Sequence, residues 1–223
     1  MDFELDLAIS EDDVNQLTAD GMRIIIAKPV GNGEPNVAWL SFQPYEGNIV
    51  KWSEEYGLYA STVKVEDRAT IESMSEKPPK VLDGKSYLFG NNGAATFSNG
   101  TDPCNKGSFA IGNLMSSPAD LTFGLTQKAQ INGADIEPSF INAVSVPSLY
   151  VVTFTPLTRV YVWLENSLDS GTVITDIRGQ YATVDFGGSV SKNKLLYDKD
   201  QGGFVPASDS ITVHKPTLTP IKV

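Results

Sequence analysis

The sequence predicts an all-β protein made of two tandem antiparallel β-sandwich units, with one short helix near the N-terminus. Three observations support this prediction. Short runs rich in β-branched and aromatic residues recur along the chain, and turn residues separate them. The helical patterns of ~10–15 residues that a parallel α/β sheet needs between its strands are missing. The two halves also carry similar motifs in the same order, which indicates an internal duplication.

The first elements are a strand and the helix. Residues 2–9 alternate between apolar and polar side chains, which is typical of a strand with one face in water. Ser10 follows, and the acidic residue three positions later completes the pattern of a capping box. Gly21 is a natural end for a helix. We therefore predict a short helix over 11–18.

From Met22 onward the pattern is one of strands and turns. The predicted strands are 22–27, 37–42, 49–52, 58–65, 69–74, 87–89, 94–97, 108–115, 121–131, 144–152, 160–164, 172–177, 181–186, 194–197, 204–205 and 211–213. Residues 98–107 are rich in Asn, Gly, Asp and Pro and show no periodicity, so they are the best candidate for a linker. This places the two units at 1–107 and 108–223.

The clearest repeated motif is Trp-x-Glu. Trp52 and Glu54 in the first half match Trp163 and Glu165 in the second. Residues two apart on a strand share a face, so each glutamate would lie on the face of its tryptophan. We expect the two indoles to fill equivalent core sites, and we expect each strand to end near its glutamate rather than to bury a paired carboxylate. A junction between two like units is a common place for a binding site.

Composition excludes several classes of partner. The formal net charge is −10, and the lysines and arginines are scattered, which disfavours nucleic acid and anionic lipid. Cys104 is the one cysteine, so an internal disulfide cannot form. No signal-peptide pattern and no apolar run of ~18 residues is present, so we expect a cytoplasmic protein without a transmembrane segment. Release by lysis or by a non-classical route is the alternative.

Few residues suited to catalysis or metal binding are present. The single histidine, His214, lies near the last predicted strand, and no nucleophile elbow accompanies it. One histidine and one cysteine cannot build a zinc or iron site within one chain. Residues 198–203 have a loose calcium-loop pattern, but a hairpin turn explains them better. We predict no catalytic residue, no metal site and no cofactor.

One cluster stands out as a candidate binding site. Aromatic and acidic side chains together can stack on a sugar or anchor a protein contact. The competing interpretation is a row of core aromatics beside a solvated edge, which is the commoner arrangement. The candidate binding residues are Trp52, Glu54, Glu55, Tyr56 and Tyr59.

These observations favour a non-enzymatic binding or structural protein whose partner is itself or another protein. A second hypothesis is a carbohydrate- or cell-surface-binding protein of lectin-like or toxin-like type, based on the aromatic–acidic cluster. A third is an enzyme that uses carboxylates alone, such as a glycoside hydrolase, which needs two carboxyl groups ~5–10 Å apart across a groove.

Overall fold

The computed structural model describes residues 2–77, 80–91, 95–207 and 212–214. Strands make up 56% of the structure and helix makes up 5%, which confirms the all-β prediction. Within the described residues the helix is α1 (Glu11–Ala19) and the strands are β1 (Asp2–Ala8), β2 (Met22–Ala27), β3 (Ala38–Phe42), β4 (Gly47–Ser61), β5 (Ser75–Lys77), β6 (Lys85–Asn91), β7 (Ala95–Pro103), β8 (Phe109–Asn113), β9 (Leu121–Ile131), β10 (Ala134–Phe140), β11 (Val144–Val146), β12 (Val151–Phe154), β13 (Arg159–Asn166), β14 (Tyr181–Asp185), β15 (Lys192–Asp198), β16 (Gly203–Pro206) and β17 (Thr212–His214).

The helix begins where the capping pattern predicts. Ser10 is the N-cap, and its Oγ accepts a hydrogen bond of 3.2 Å from the backbone N–H of Asp13. Three acidic residues occupy the first turn, where the helix dipole favours negative charge. Gly21 follows the helix with φ of 68°, a conformation that glycine adopts without steric cost.

The strands form three sheets. The largest has eight strands in the order β10-β9-β4-β1-β15-β16, with β11 also paired to β9 and β5 to β4. A four-stranded sheet has the order β12-β8-β6-β7, and a five-stranded sheet has the order β17-β14-β13-β2-β3. Most neighbours are antiparallel, as predicted, but β1 pairs with β15 and β6 with β8 in parallel.

Each of the three sheets combines strands from 1–107 with strands from 108–223. The main hydrophobic core also draws on both halves. Strand pairing therefore does not follow the predicted boundary, and neither the tandem duplication nor the sandwich arrangement is confirmed. The linker prediction for 98–107 is wrong, because β7 covers most of that segment. Its polar side chains point mostly to water, and backbone hydrogen bonds to β6 hold it in place.

Both repeated tryptophans are buried, with 5% of Trp52 and none of Trp163 exposed. They belong to different clusters, however. Trp52 lies in the main core, whereas Trp163 lies in a smaller cluster on the five-stranded sheet. Their equivalence stays a prediction. None of the helices in the described part of the chain combines the length and apolar character that crossing a membrane requires.

Candidate functional site

A bulge in the largest sheet shapes the candidate site. On β4 and β9, Trp52 pairs with Ala129, but the next pair is Tyr56 with Gln127. Three residues of β4 therefore lie opposite the single residue Lys128. Strand β10, which pairs with the opposite side of β9 from β4, also shifts register at this point. Bulges of this kind bend a strand and redirect its side chains, and they are common beside functional sites.

Because of the bulge, Glu54 turns towards the core instead of ending a strand. β4 continues without a break to Ser61. The prediction that the strand ends near Glu54 is therefore wrong, and the alternative, a partly buried and paired carboxylate, describes the residue. Its side chain is 25% exposed and forms an ion pair with Lys28, with Oε1 at 3.3 Å from Nζ.

Lys28 is the centre of the site. It follows the last residue of β2 and is completely buried. Its ammonium donates hydrogen bonds to Oε1 of Gln127 at 2.7 Å and to Oε1 of Glu54 at 3.3 Å. A buried lysine of this kind is rare, because removing its charge from water is costly unless partners compensate.

Three aromatic rings surround the ammonium of Lys28. Its Nζ lies 5.3 Å from the ring centre of Trp39 and 5.6 Å from those of Trp52 and Tyr56. At these distances the negative faces of the rings attract a cation. We call the six residues of this site the Lys28 cluster: Lys28, Trp39, Trp52, Glu54, Tyr56 and Gln127.

The members of the Lys28 cluster hold each other in place. Nε2 of Gln127 donates to the backbone oxygen of Ser53 at 2.6 Å, inside the bulge. Nε1 of Trp39 donates to the backbone oxygen of Gln127 at 3.2 Å. The hydroxyl of Tyr56 donates a short hydrogen bond to Oε2 of Glu54. The Gln127 side chain is thus fixed at its oxygen and at its nitrogen.

Burial changes the acid–base behaviour of the site. It lowers the pKa of Lys28 to about 8, although the nearby Glu54 carboxylate partly opposes this change. Burial also raises the pKa of Tyr56 well above its ordinary value, and the charge of Glu54 adds to that effect. At neutral pH the Tyr56 hydroxyl therefore keeps its proton and can donate a hydrogen bond. The Lys28 amine is mostly protonated at that pH, but it loses its proton more readily than an exposed lysine does.

Two members of the Lys28 cluster, Glu54 and Tyr56, border an open groove of about 390 Å³. The exposed Leu82 and the surface residues Glu55, Lys80 and Asp83 line this groove with them. The carboxylate of Glu54 faces Lys28 at one oxygen and Tyr56 at the other. The Glu54 carboxylate therefore contacts the buried amine and also borders the groove.

The five predicted binding residues divide into three groups. Trp52, Glu54 and Tyr56 join the Lys28 cluster. Tyr59 is fully buried elsewhere, where its hydroxyl donates to the backbone oxygen of Asn142 at 2.6 Å. Glu55 is exposed and lies 3.6 Å from the ammonium of Lys80. The three aromatic rings are at most 5% exposed, so they offer no surface on which a sugar can stack.

Sequence analysis missed Lys28 and Gln127 as site residues. Lys28 ends the apolar run Ile24–Ala27, and Gln127 interrupts the apolar strand β9. A polar residue in a fully buried strand needs a partner. This rule could have marked Lys28 and Gln127 as residues that need a buried polar partner. It does not show that they are partners of each other, because they lie 99 positions apart in the sequence.

The second Trp-x-Glu motif has a different arrangement. Nε1 of Trp163 donates directly to Oε2 of Glu165 at 2.9 Å, and the guanidinium of Arg68 pairs with the other carboxylate oxygen. Strand β13 ends at Asn166, so the strand-end prediction holds for Glu165. The carboxylate is nevertheless paired.

The remaining candidates are explained by local structure. Residues 198–203 form the turn between β15 and β16, in which Oδ1 of Asp198 accepts hydrogen bonds from two backbone N–H groups. The thiol of Cys104 is partly buried and donates to two backbone oxygens. His214 belongs to β17, and its side chain lies outside the described residues. Within the described ranges no three acidic, His or Cys side chains form a metal-binding group.

Comparison with known proteins gives no match to a protein-family model, to a curated protein or to a solved structure.

Proposed function

We propose that the protein is a non-enzymatic structural or binding protein that associates with copies of itself through the edge of the four-stranded sheet at β12. The observation that carries this proposal is an absence of charge. Residues 86–101, 107–119 and 138–158 contain no Asp, Glu, Lys, Arg or His. These stretches supply nearly all of β6, β7, β8 and β12.

The charge distribution favours a second copy as the partner. Each chain carries a formal net charge of −10, so two copies repel each other across most relative orientations. A contact between two uncharged sheets keeps the charged surfaces apart and desolvates no charged group. The repulsion that remains is screened by salt.

An apolar patch lies at the β12 edge. Leu149, Tyr150 and Val151 are 79%, 65% and 63% exposed, and Leu114 beside them is 50% exposed. The backbone N–H of Leu149 donates to the oxygen of Asn113, which brings these two segments together. Contiguous exposed apolar side chains are characteristic of interaction sites on soluble proteins.

The backbone at this edge supports the same proposal. Among the residues that the structure describes, β12 pairs with β8 on one side only, so its other side presents peptide groups that another strand can bind. Leu149 stands at a tight turn with φ of 65°, a conformation that leucine rarely adopts. The turn holds a large apolar side chain in water at a steric cost, which is typical of residues selected for contact.

Light scattering coupled to size-exclusion chromatography tests the proposal. We expect oligomers whose population increases with protein concentration and with added salt. Val151→Lys is expected to weaken association at least ~10-fold, because it places two like charges across a two-fold contact. Leu196→Lys, a change of the same type at a 40%-exposed site on β15, is the matched control and is expected to leave association unchanged. A strict monomer at high concentration and high salt contradicts the proposal.

The two other hypotheses have no specific observation in their favour. The rings that suggested carbohydrate binding are buried. A carboxylate pair across the groove would draw on Glu54, Glu55 or Asp83. Glu54 and Glu55 face lysines, and Asp83 accepts a hydrogen bond from the backbone of Gly107 at 2.6 Å. All three carboxylates are already engaged in the fold.

A further inference from the structure

The Lys28 cluster places an amine beside an amide and a carboxylate inside the protein. Nζ of Lys28 lies 2.7 Å from the side-chain oxygen of Gln127 and 3.3 Å from the carboxylate of Glu54. Lys28 and Gln127 are both completely buried. An amine held this close to a carbonyl group has a very high effective concentration, which lowers the barrier to reaction between the two groups.

The surroundings match the needs of acyl transfer from the glutamine to the lysine. The nucleophile must be a neutral amine, and complete burial away from water makes that form easier to reach than in an exposed lysine, although the three surrounding rings attract the ammonium. The carboxylate of Glu54 contacts the ammonium directly and can accept its proton. The phenol of Tyr56 donates its proton to the other oxygen of Glu54, and its own oxygen accepts from the Gln127 side chain, so it holds the carboxylate and the amide beside each other.

We propose that Lys28 and Gln127 form an intramolecular amide bond, and that Glu54 is the catalytic residue that carries the protons. The reaction is a single self-modification and is independent of the proposed self-association. It needs no cofactor, oxidant or second protein.

The proposed step balances in atoms and protons. Glu54 takes a proton from the Lys28 ammonium, and the lone pair of Nζ attacks Cδ of Gln127 to form a tetrahedral intermediate. The bond between Cδ and Nε2 then breaks, while Nε2 receives the proton from Glu54 and Nζ releases its remaining surplus proton to the same carboxylate. One ammonia or ammonium leaves, and a secondary amide joins the two side chains.

The fold provides for the leaving group and excludes water. Before the reaction, Nε2 of Gln127 is held by the backbone oxygen of Ser53 in the bulge. Ammonia can leave past Glu54, which borders the open groove. Because the reacting atoms are otherwise enclosed by the main core, hydrolysis of the new amide is suppressed.

The bond would join distant parts of the chain. Lys28 follows β2 of the five-stranded sheet, and Gln127 lies in β9 of the eight-stranded sheet, 99 positions later. A covalent link that closes a long loop restricts the unfolded chain strongly. Two of the three sheets would thus be tied together by a covalent bond.

Intact mass spectrometry of the purified full chain tests the proposal directly. We expect a mass lower than that of the sequence by one ammonia molecule. Trypsin leaves Lys28 within the peptide 24–51 and Gln127 within 107–128, and these two peptides are expected to be recovered as one linked species. The full sequence mass overturns the proposal. Loss of ammonia without the linked species, as in cyclisation at an asparagine, overturns it as well.

Two variants and a control assign the roles. Lys28→Arg keeps a positive charge but cannot be acylated here, so it is expected to have its full sequence mass. Glu54→Gln is expected to retain ammonia because the proton carrier is gone. Lys51→Arg, on the exposed face of β4, is the matched control and is expected to lose ammonia as the parent chain does. Ammonia loss in Lys28→Arg overturns the linkage, and ammonia loss in Glu54→Gln overturns the assignment of Glu54.

Discussion

Trp52 and Glu54 lie in the middle of a strand of 15 residues, whereas Trp163 and Glu165 lie at the end of one of 8 residues. Trp163 donates its indole N–H to Glu165. The indole N–H of Trp52 is buried and has no acceptor among the described residues. Glu54 instead bonds to groups from other elements. The same three-residue motif thus makes a local contact at a strand end and a long-range one at a bulge.

The cations differ in the same way. Lys28 is completely buried, whereas the side chain of Arg68 is 36% exposed beside Glu165. An arginine remains charged under all ordinary conditions, whereas a buried lysine can lose its proton. The arginine site is therefore suited to a permanent ion pair. The lysine site is suited to proton transfer, and the predictions below separate these two roles.

The largest effect is expected from Glu54→Gln in a Gln127→Leu background, which cannot form the proposed amide, because the Lys28 ammonium is then left buried without a carboxylate. Breaking a buried pair in this way costs ~3–5 kcal/mol of unfolding free energy. Glu165→Gln is expected to cost only ~1 kcal/mol, because Arg68 can turn to water. Urea unfolding followed by circular dichroism measures both. Glu55→Gln, at the exposed pair with Lys80, is the control and is expected to have no measurable effect. Equal losses of unfolding free energy in Glu54→Gln and Glu165→Gln would contradict the proposed difference between the lysine site and the arginine site.

A double variant sharpens the comparison. Lys28→Met combined with Glu54→Gln removes both charges, so the penalty of an unpaired buried ammonium disappears. We expect the double variant to be more stable than Glu54→Gln alone by ~2 kcal/mol or more. The corresponding pair, Arg68→Met with Glu165→Gln, is expected to show no such recovery. Urea midpoints at one pH provide the test, and additive losses at the lysine site would argue against a buried charge there.

A pH dependence should distinguish the two cations. In Gln127→Leu, which cannot form the proposed amide, Lys28 keeps a free amine whose pKa is about 8 in the folded chain and 10.5 ordinarily. Below pH 8 both folded and unfolded chains carry the proton, so the stability difference is constant. Between these two values the unfolded chain binds more protons, so unfolding free energy rises with pH, by ~3 kcal/mol in total. Adding Lys28→Met to this variant should abolish the rise of unfolding free energy with pH. If the rise persists, a group other than Lys28 causes it.

The smallest expected effect concerns the turn at β12. Leu149→Gly removes a side chain that is exposed in the monomer, and glycine adopts the left-handed backbone conformation at this position without steric cost. The unfolding free energy of the monomer should therefore change by less than ~1 kcal/mol. Self-association is nevertheless expected to weaken. Thermal unfolding at low concentration and light scattering at high concentration separate these two outcomes. A loss of stability with unchanged association would contradict a contact role for Leu149.

Much of the fold follows from local pattern. The alternation of 2–9 and the apolar run at 22–27 predict β1 and β2 almost to the residue, and the serine cap predicts α1. The errors have physical causes. β4 was predicted as separate strands, since Ser53–Glu55 in the bulge interrupt its apolar pattern. Residues 69–74 contribute one isolated bridge, at Thr70, rather than a strand.

The candidate site was predictable only in part. Trp52, Glu54 and Tyr56 follow one another at intervals of two residues on one strand. Because side chains alternate between the two faces of a strand, this spacing predicts that all three lie on the same face. Lys28 and Gln127 come from other strands, and strand register across 99 positions cannot be derived from a single sequence. The burial of the aromatic rings likewise depends on which strands cover them.

The parallel pairing of β1 with β15 has a consequence for biosynthesis. Residues 2–8 leave the ribosome about 190 residues before their partner at 192–198. At ~5–20 residues per second the first strand waits roughly 10–40 s with one side open. During this interval a nascent chain exposes an apolar template to its neighbours on a polysome. Chaperone binding to the emerging strand β1 would protect it until β15 is made.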